Sequence, residues 1–346
     1  MPAPAGLHLD YLSRAEYQAA RWTDVLGVAT FSGPSPGEAA PPEVPVAWVR
    51  TPVICGNADL CEVWRCGEPL KSGQHQRVRF RHSDELLFGC IAVAEQDLGG
   101  LHAATTLAYN EICATLETLA YPHLLRIWNY LPDINRETGG KERYRQFNTA
   151  RQQALGARGR VLTGNVPAAS ALGAVSGSPL VVYFLAGRTA PVFVENPRQV
   201  SAYHYPQQYG THSPVFSRAA LVRDSASLAL FISGTASIVG HRSTHIGDSA
   251  AQTRETLLNI EALVSAANSA GGGAYFDLGS LAAKVYVRRP ADLPVIQAQL
   301  APALTAGARF VYLQADICRQ DLAVEIEATA FRTLRDGANP AAAART

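Results

Sequence analysis

Apolar residues along the chain fall into two matching series. Leu86–Val93 (LLFGCIAV) and residues 228–235 (LALFISGT) are short apolar runs of strand length. Each precedes a stretch whose apolar positions recur every three to five residues. Leu107, Ile112, Leu116 and Leu119 predict a helix over 103–120, and Leu257, Ile260, Leu263 and Val264 predict one over 252–267. A second strand follows in both series, at 123–130 (HLLRIWNY) and 281–287 (LAAKVYV), and each leads into a further helical pattern. Closing strands are predicted at 167–170 and 180–186 in the first series and at 308–311 and 322–328 in the second. The offset between the series is nearly constant, from Phe88 to Phe231 at one end and from Ala186 to Ala328 at the other. An internal duplication is the economical explanation.

The predicted fold class is α+β, with two halves that are each a mainly antiparallel sheet carrying helices on one face. The expected division is an N-terminal extension (1–80) packed on the first half, first half (81–190), connector (191–217), second half (218–335) and frayed tail (336–346). Residues 31–45, with their Ser-Gly-Pro-Ser-Pro-Gly run, read as a loop.

Composition narrows the function classes. Thirty Lys and Arg against 29 Asp and Glu give a net charge of +1, too even for a nucleic-acid partner. No apolar run reaches the length of a membrane span, so no membrane partner is expected. The first ten residues lack a basic stretch followed by an apolar run, and the six cysteines read as reduced thiols, so a cytoplasmic location is expected. Cys55-x5-Cys61-x4-Cys66 lacks the paired knuckles of a zinc site.

The candidate chemistry comes from an asymmetry between the closing strands. In the second series Leu322, Val324 and Ile326 alternate with Ala323, Glu325 and Glu327, whereas residues 180–185 of the first series are apolar on both faces. If both halves are covered alike, Glu325 is buried, its pKa rises, and it can act as a general acid. Glu327 shares the face but is placed nearer the strand end, where water is expected, so Glu325 is preferred. The bland alternative is a solvated sheet face.

Two further clusters stand out. Arg198, Tyr203, Tyr205 and Tyr209, followed by Phe216 and Arg218, offer guanidinium forks and phenol hydroxyls suited to an anionic, ring-containing small molecule, or else form a polar connector with aromatic anchors. On a helix Tyr144, Phe147 and Arg151 fall on one stripe, read as packing with a snorkelling arginine, and Arg151 is kept as a binding candidate. Other motifs carry less. His241-x3-His245 lacks a third metal ligand, Gly271-Gly-Gly273 follows a helix rather than opening one, and Ser233-Gly234-Thr235 is no nucleophile elbow.

The segments Ser233-Gly-Thr-Ala, 252–260, Lys284-Val-Tyr-Val and Val324-Glu-Ile-Glu-Ala resemble the YjgF/RidA fold family over about residues 215–331. From about residue 85 onward the whole chain resembles a chorismatase, through RIWNYLPDIN (126–135), ERYRQFNTAR (142–151), ENPRQVSAYHYP (195–206), SGTASIVGH (233–241) and ICRQDLAVEIE (317–327). The resemblance implies two YjgF/RidA-like (chorismate-mutase-like) halves with one pocket, and an enzyme that cleaves the enolpyruvyl ether of chorismate. It places the proton donor on Glu325. Substrate contacts then fall on Arg198, Tyr203, Tyr205 and Arg218, with Gly234, Thr235 and Ala236 along the reacting edge and Cys318 nearby. No cofactor and no metal is implied. Pyruvate plus 3-hydroxybenzoate is expected, with 4-hydroxybenzoate as a companion product. The alternatives are a hydrolase giving a dihydroxycyclohexadiene carboxylate, and an imine-hydrolysing or ligand-binding YjgF-like protein. A duplicated chain can supply both faces of a site itself, so a monomer is expected, with a trimer as the other reading.

Overall fold

The structure, a computed structural model, describes residues 6–33, 43–224, 227–303 and 308–334. The expected tail and most of the expected 31–45 loop lie outside the described residues.

The chain begins with β1 (Leu7–Ser13), the short helix α1 (Arg14–Ala19), β2 (Val25–Thr30), β3 (Val46–Trp48), β4 (Val53–Cys55) and β5 (Leu60–Cys66). The first half follows as β6 (Lys71–His75), β7 (Val78–His82), β8 (Leu86–Val93), α2 (Leu101–Leu119), β9 (His123–Pro132), the two-residue strands β10 (Glu137–Thr138) and β11 (Lys141–Glu142), α3 (Arg143–Ala157), β12 (Ala168–Ala174) and β13 (Leu180–Gly187). The second half runs through β14 (Val192–Val194), β15 (Ala219–Arg223), β16 (Ser227–Ala236), β17 (Ile238–Val239), β18 (Arg242–Ser243), α4 (Ser249–Gly271), β19 (Ala282–Val287), α5 (Leu293–Leu300), β20 (Arg309–Gln314) and β21 (Val324–Thr333).

Strand order makes the duplication explicit. The first sheet reads β12-β9-β13-β8-β7-β6, and the second reads β20-β19-β21-β16-β15-β14 with β4 added beyond β20. Each sheet is antiparallel except for one parallel pair, β12 with β9 and β20 with β19. One face of each sheet packs on its own helices. Leu87, Ile91, Val182 and Phe184 meet Ile112 and Leu116 of α2, while Leu230, Ile232, Val324 and Ile326 meet Ile260 and Leu263 of α4. Asp248 caps the start of α4 by accepting from the Ala251 N–H.

The other faces of both sheets meet in a shared core with a third, four-stranded sheet, β1-β5-β2-β3. The residues before 81 therefore do not form a single extension on the first half. They supply this third sheet, give β4 to the second half's sheet and give β6 and β7 to the first half's. Leu9 and Trp64 of the third sheet pack in one cluster with Trp128 and Tyr183 of the first half and Phe231 and Tyr286 of the second. The residues expected as a surface connector include β14, which pairs with β15, and two 3-10 turns, so that stretch is structured.

Candidate active site

Glu325 and Glu327 both project from β21 into the shared centre, on the face opposite Val324 and Ile326. They are 3% and 2% exposed. The expectation that Glu327 is the wetter of the two fails, because β21 begins at Val324 and continues to Thr333, which places Glu327 deeper along the strand. Glu327 is fully paired. Its carboxylate lies 2.6 Å from Arg126 Nη2 and 2.7 Å from Lys284 Nζ, and it accepts from Trp128 Nε1 at 2.9 Å, from Tyr286 and from the Ser170 hydroxyl. Burial alone would raise its pKa, but Lys284 and Arg126 outweigh that and hold it below the usual carboxylate value.

Among the described residues no cation is in contact with Glu325. Burial, with the Glu327 charge added, pushes its pKa up to about 8, against weaker opposing pulls from Arg126, Cys318 and Arg288. Cys318 Sγ lies 3.9 Å from Glu325 Oε2. The carboxyl rests against Gly234, where an added Cβ would overlap Oε1 and come within 2.8 Å of Cδ. The pairing of β16 with β21 slips between Ile232 and Thr235, a bulge that frees local backbone groups. The Gly234 N–H donates to Ser170 Oγ at 3.0 Å, and Ser233 Oγ receives the Ala169 N–H at 2.8 Å, so the bulge also ties the two halves together.

Glu325 forms the inner wall of a cavity of about 540 Å³, within the size range of small-molecule sites. Gly234 and Ala236 of β16 border it, together with Cys318 and Arg319 from the loop before β21. That loop is held from both sides. Arg288 donates to the carbonyls of Ile317, Arg319 and Leu322, and Gln252 of α4 donates to Asp321 O and accepts from the Ala323 N–H. Tyr205, Tyr209, Pro214, Phe216 and Arg218 close a second side. The β10–β11 hairpin closes a third with Glu137, Gly140, Lys141 and Glu142. Its two turn residues, Gly139 and Gly140, have φ of +58° and +74°, the left-handed pair that a two-residue hairpin of this twist requires. A narrow extension of about 30 Å³ runs on to Arg151, Ala169, Ser170 and Ala171.

Three buried guanidinium donors here have no hydrogen-bond partner among the described residues: Nε of Arg151, Nε of Arg218 and Nη2 of Arg319. Arg319 is stacked on Tyr209 at 4.1 Å and on Tyr205 at 5.2 Å, and its Nη1 is spent on His241 O. Arg218 donates to Tyr205 OH and to Val200 O, each at 2.8 Å. Guanidinium groups with spare donors beside a cavity are the chemistry of an anion site.

Of the residues expected at the site, Glu325, Tyr205, Arg218, Gly234, Ala236 and Cys318 border the cavity and Arg151 its deep end. Arg151 does not snorkel, because it is 2% exposed and stacks on Phe147 at 5.0 Å. Three expected residues lie elsewhere. Arg198 is committed to Glu255 and Asn259, both at 2.6 Å. Tyr203 packs at the edge of the first-half core and against His204. Thr235 points to the opposite face from Gly234 and Ala236 and donates to Ser233 O at 2.9 Å. Tyr144, read from the sequence as packing, borders the cavity, while Arg319 and the two residues that clamp the loop, Arg288 and Gln252, were not singled out from the sequence. For Arg319 the signal was adjacency to Cys318. His245 pairs with Glu255, and among the described residues no three His, Cys, Asp or Glu side chains are grouped to hold a metal ion. None of the six cysteines forms a disulfide. Among the described residues no helix is long and apolar enough to cross a membrane.

Comparison with known proteins agrees with this arrangement. A family profile described as "Chorismatase FkbO/Hyg5-like, N-terminal" matches residues 62–186. A protein of Streptomyces rapamycinicus named chorismatase is 40% identical over 278 residues, which is 78% of this chain and 81% of that protein. A 3-hydroxybenzoate synthase of Streptomyces hygroscopicus is 38% identical over 277 residues, 78% of this chain and 80% of its own length. A crystal structure of a chorismatase superposes with a TM-score of 0.86 at 32% identity, covering 94% of this chain and 98% of that one. With two halves of one topology meeting over a single cavity and relatives of this identity along most of its length, the chain belongs to the chorismatase family of enzymes.

Proposed function

We propose that the protein cleaves chorismate into pyruvate and 3-hydroxybenzoate, with Glu325 as the proton donor. Chorismate carries two carboxylates, an enolpyruvyl ether and a ring hydroxyl. The unpaired donors of Arg218 and Arg319 at the mouth and of Arg151 at the inner end suit the carboxylates, and the Tyr205 and Phe216 rings suit the cyclohexadiene between them.

The reaction begins with transfer of the Glu325 proton to the terminal methylene of the enol ether. The π electrons take up the proton, the methylene becomes a methyl group, and the adjacent carbon becomes an oxocarbenium ion. The same transfer leaves a carboxylate on Glu325, so the cation forms beside a new anion in a dry site that stabilises it. The neighbouring ring hydroxyl oxygen bonds to the ether-bearing ring carbon as that carbon's C–O bond breaks, which releases pyruvate and returns the hydroxyl proton to the Glu325 carboxylate. The ring epoxide so formed opens at the oxygen's original C–O bond, and a ring hydrogen shifts and is lost to aromatise the ring as 3-hydroxybenzoate. The atoms of chorismate alone account for both products.

The observation that carries this reading is the carboxyl of Glu325, 3% exposed and without a cation in contact among the described residues, on the wall of a cavity that Arg218 and Arg319 also line, with Arg151 at its narrow extension. The extension beside Glu325 is about 30 Å³, room for about one water, and a methylene seated there would displace it. That favours the ring hydroxyl over water as the attacking group. The relative named 3-hydroxybenzoate synthase points the same way. Residues of both halves line the cavity, so a monomer suffices for the chemistry.

The test is incubation of the purified protein with chorismate, followed by assay of pyruvate and chromatography of the ring product. Pyruvate with 3-hydroxybenzoate, with or without a 4-hydroxybenzoate fraction, is expected. A dihydroxycyclohexadiene carboxylate would instead establish the hydrolytic route. Absence of pyruvate release would leave the imine-hydrolysing or ligand-binding reading.

A further inference from the structure

We propose that Glu62, as the counter-charge to Lys284, keeps Glu325 in its proton-bearing form, so that the N-terminal sheet takes part in catalysis through electrostatics. The inference rests on the reading of Glu325 as the acid, and it assigns Glu62 and Lys284 positioning roles.

Five ionisable side chains lie along the junction of the three sheets. Two are cations, Arg126 and Lys284, and three are carboxyls, Glu62, Glu327 and Glu325. Glu62, on β5, is fully buried, with its carboxylate 2.6 Å from Lys284 Nζ and receiving hydrogen bonds from Trp64 Nε1 at 2.8 Å and Tyr183 OH at 3.1 Å. Lys284 Nζ is ion-paired with Glu62 at 2.6 Å and Glu327 at 2.7 Å and donates to Tyr183 OH at 2.9 Å. Arg126 Nη2 serves Glu327 at 2.6 Å and Ser170 Oγ at 2.5 Å. The two cations are therefore matched by Glu62 and Glu327, and Glu325 is the carboxyl left over.

Glu325 sits two residues from Glu327 on the same strand face, about 7 Å away along the strand. Its ionisation would add a second negative charge to a balanced, dry set. Of the remaining groups around it, Arg151 is a third cation, held by Asn148 Oδ1 at 3.0 Å and common to every variant below, so it leaves the direction of a change at Glu62 unaltered. Tyr286 is opposite it on β19, Cys318 is a thiol, and Tyr144 and Arg151 stand at the deep end of the cavity. Arg288 is committed to Asp316 at 2.6 Å and to loop carbonyls. The pair is not required for packing, since Leu9, Trp64, Trp128 and Tyr183 already join the sheets, and apolar residues fill such positions at no loss of stability.

The sign follows from the count. Glu62→Gln removes one negative charge and leaves a net positive set, which favours the carboxylate of Glu325 and lowers its pKa. The acid is then lost at lower pH, so the alkaline fall in kcat/KM moves down by about one unit, roughly a tenfold loss of activity above it. Lys284→Met has the opposite sign and moves the fall upward. The Glu62→Gln/Lys284→Met double variant restores the balance and returns the profile to that of the parent protein.

The experiment is the pH profile of kcat/KM for the three variants, beside a substrate-free titration of the Glu325 carboxyl by ¹³C NMR, with Glu325→Gln identifying the resonance. A downward shift in Glu62→Gln that the double variant reverses supports the proposal. A folded Glu62→Gln protein with an unmoved profile, or a double variant that keeps the shift, overturns it, whether or not Lys284→Met folds alone. Lack of pyruvate release by the parent protein would refute the proposed function, while the NMR titration would still decide this inference.

Discussion

The two halves of the molecule share one strand order and differ at the face that meets the centre. On β13 of the first half that face carries Val181, Tyr183 and Leu185, while on β21 of the second it carries Glu325 and Glu327. Both strands are buried, so the substitution of carboxyls for apolar side chains is costly and is compensated only in part. The first half contributes much of the compensation, beside Lys284 and Tyr286 of the second. Arg126, Trp128 and Ser170, all from β9 and β12, bind Glu327, while Glu325 receives no cation from either half. One duplicated scaffold thus holds, two residues apart, a carboxylate with its counter-charges and the carboxyl proposed as the acid, and the difference lies in which of them is given a cation.

Removal of the acid should break that asymmetry most severely. Glu325→Gln keeps the shape and loses the proton, and kcat should fall about a thousandfold with KM little changed, as measured by pyruvate release. The same variant separates the acid from the fold. A carboxyl raised to about 8 is still neutral when its unfolded counterpart has already ionised, so stability of the parent protein falls as pH rises from about 4.5 to about 8. The stability gap in favour of Glu325→Gln should widen over that window by a few kcal/mol and level off above it, in denaturant unfolding series.

Gly234→Ala should come next. The methyl group has no place beside the Glu325 carboxyl, so the acid must turn away, and a loss of about a hundredfold in kcat is expected with the fold retained by circular dichroism. Arg319→Met and Arg218→Met should act on binding. Each removes a guanidinium facing the cavity and should raise KM by roughly tenfold or more, the worth of a charge-assisted hydrogen bond. The smallest effect is expected at Arg198. Its fork is occupied by Glu255 and Asn259, so Arg198→Met should leave KM within about twofold and cost at most about 1 kcal/mol of stability.

How much of this was legible in the sequence follows from particular residues. The repeated apolar series located β8, α2, β9, α4 and β19 to within a few residues, since each is long or wholly apolar. Alternation on β21 singled out Glu325 and Glu327 as an anomaly, but the start of the strand, which decides which of them faces the cavity, is set by the loop that Arg288 and Gln252 hold. The strands before residue 81 are short, some polar such as β6 (KSGQH) and some apolar such as β2 (VLGVAT), and periodicity does not reveal that they join three different sheets. Arg198 and Arg319 show the limit at the site. Arg198 stands before Tyr203 and Arg319 beside Cys318, and only the fold brings Glu255 to the first and Tyr205 and Tyr209 to the second.

The central claim is that the Glu325 carboxyl carries a proton near neutral pH. Difference infrared spectroscopy of the parent protein against Glu325→Gln reads that state without substrate. The account predicts a protonated-carboxyl C=O band at pH 7 that gives way to carboxylate bands at about pH 8. Carboxylate bands already present at pH 6 would contradict it.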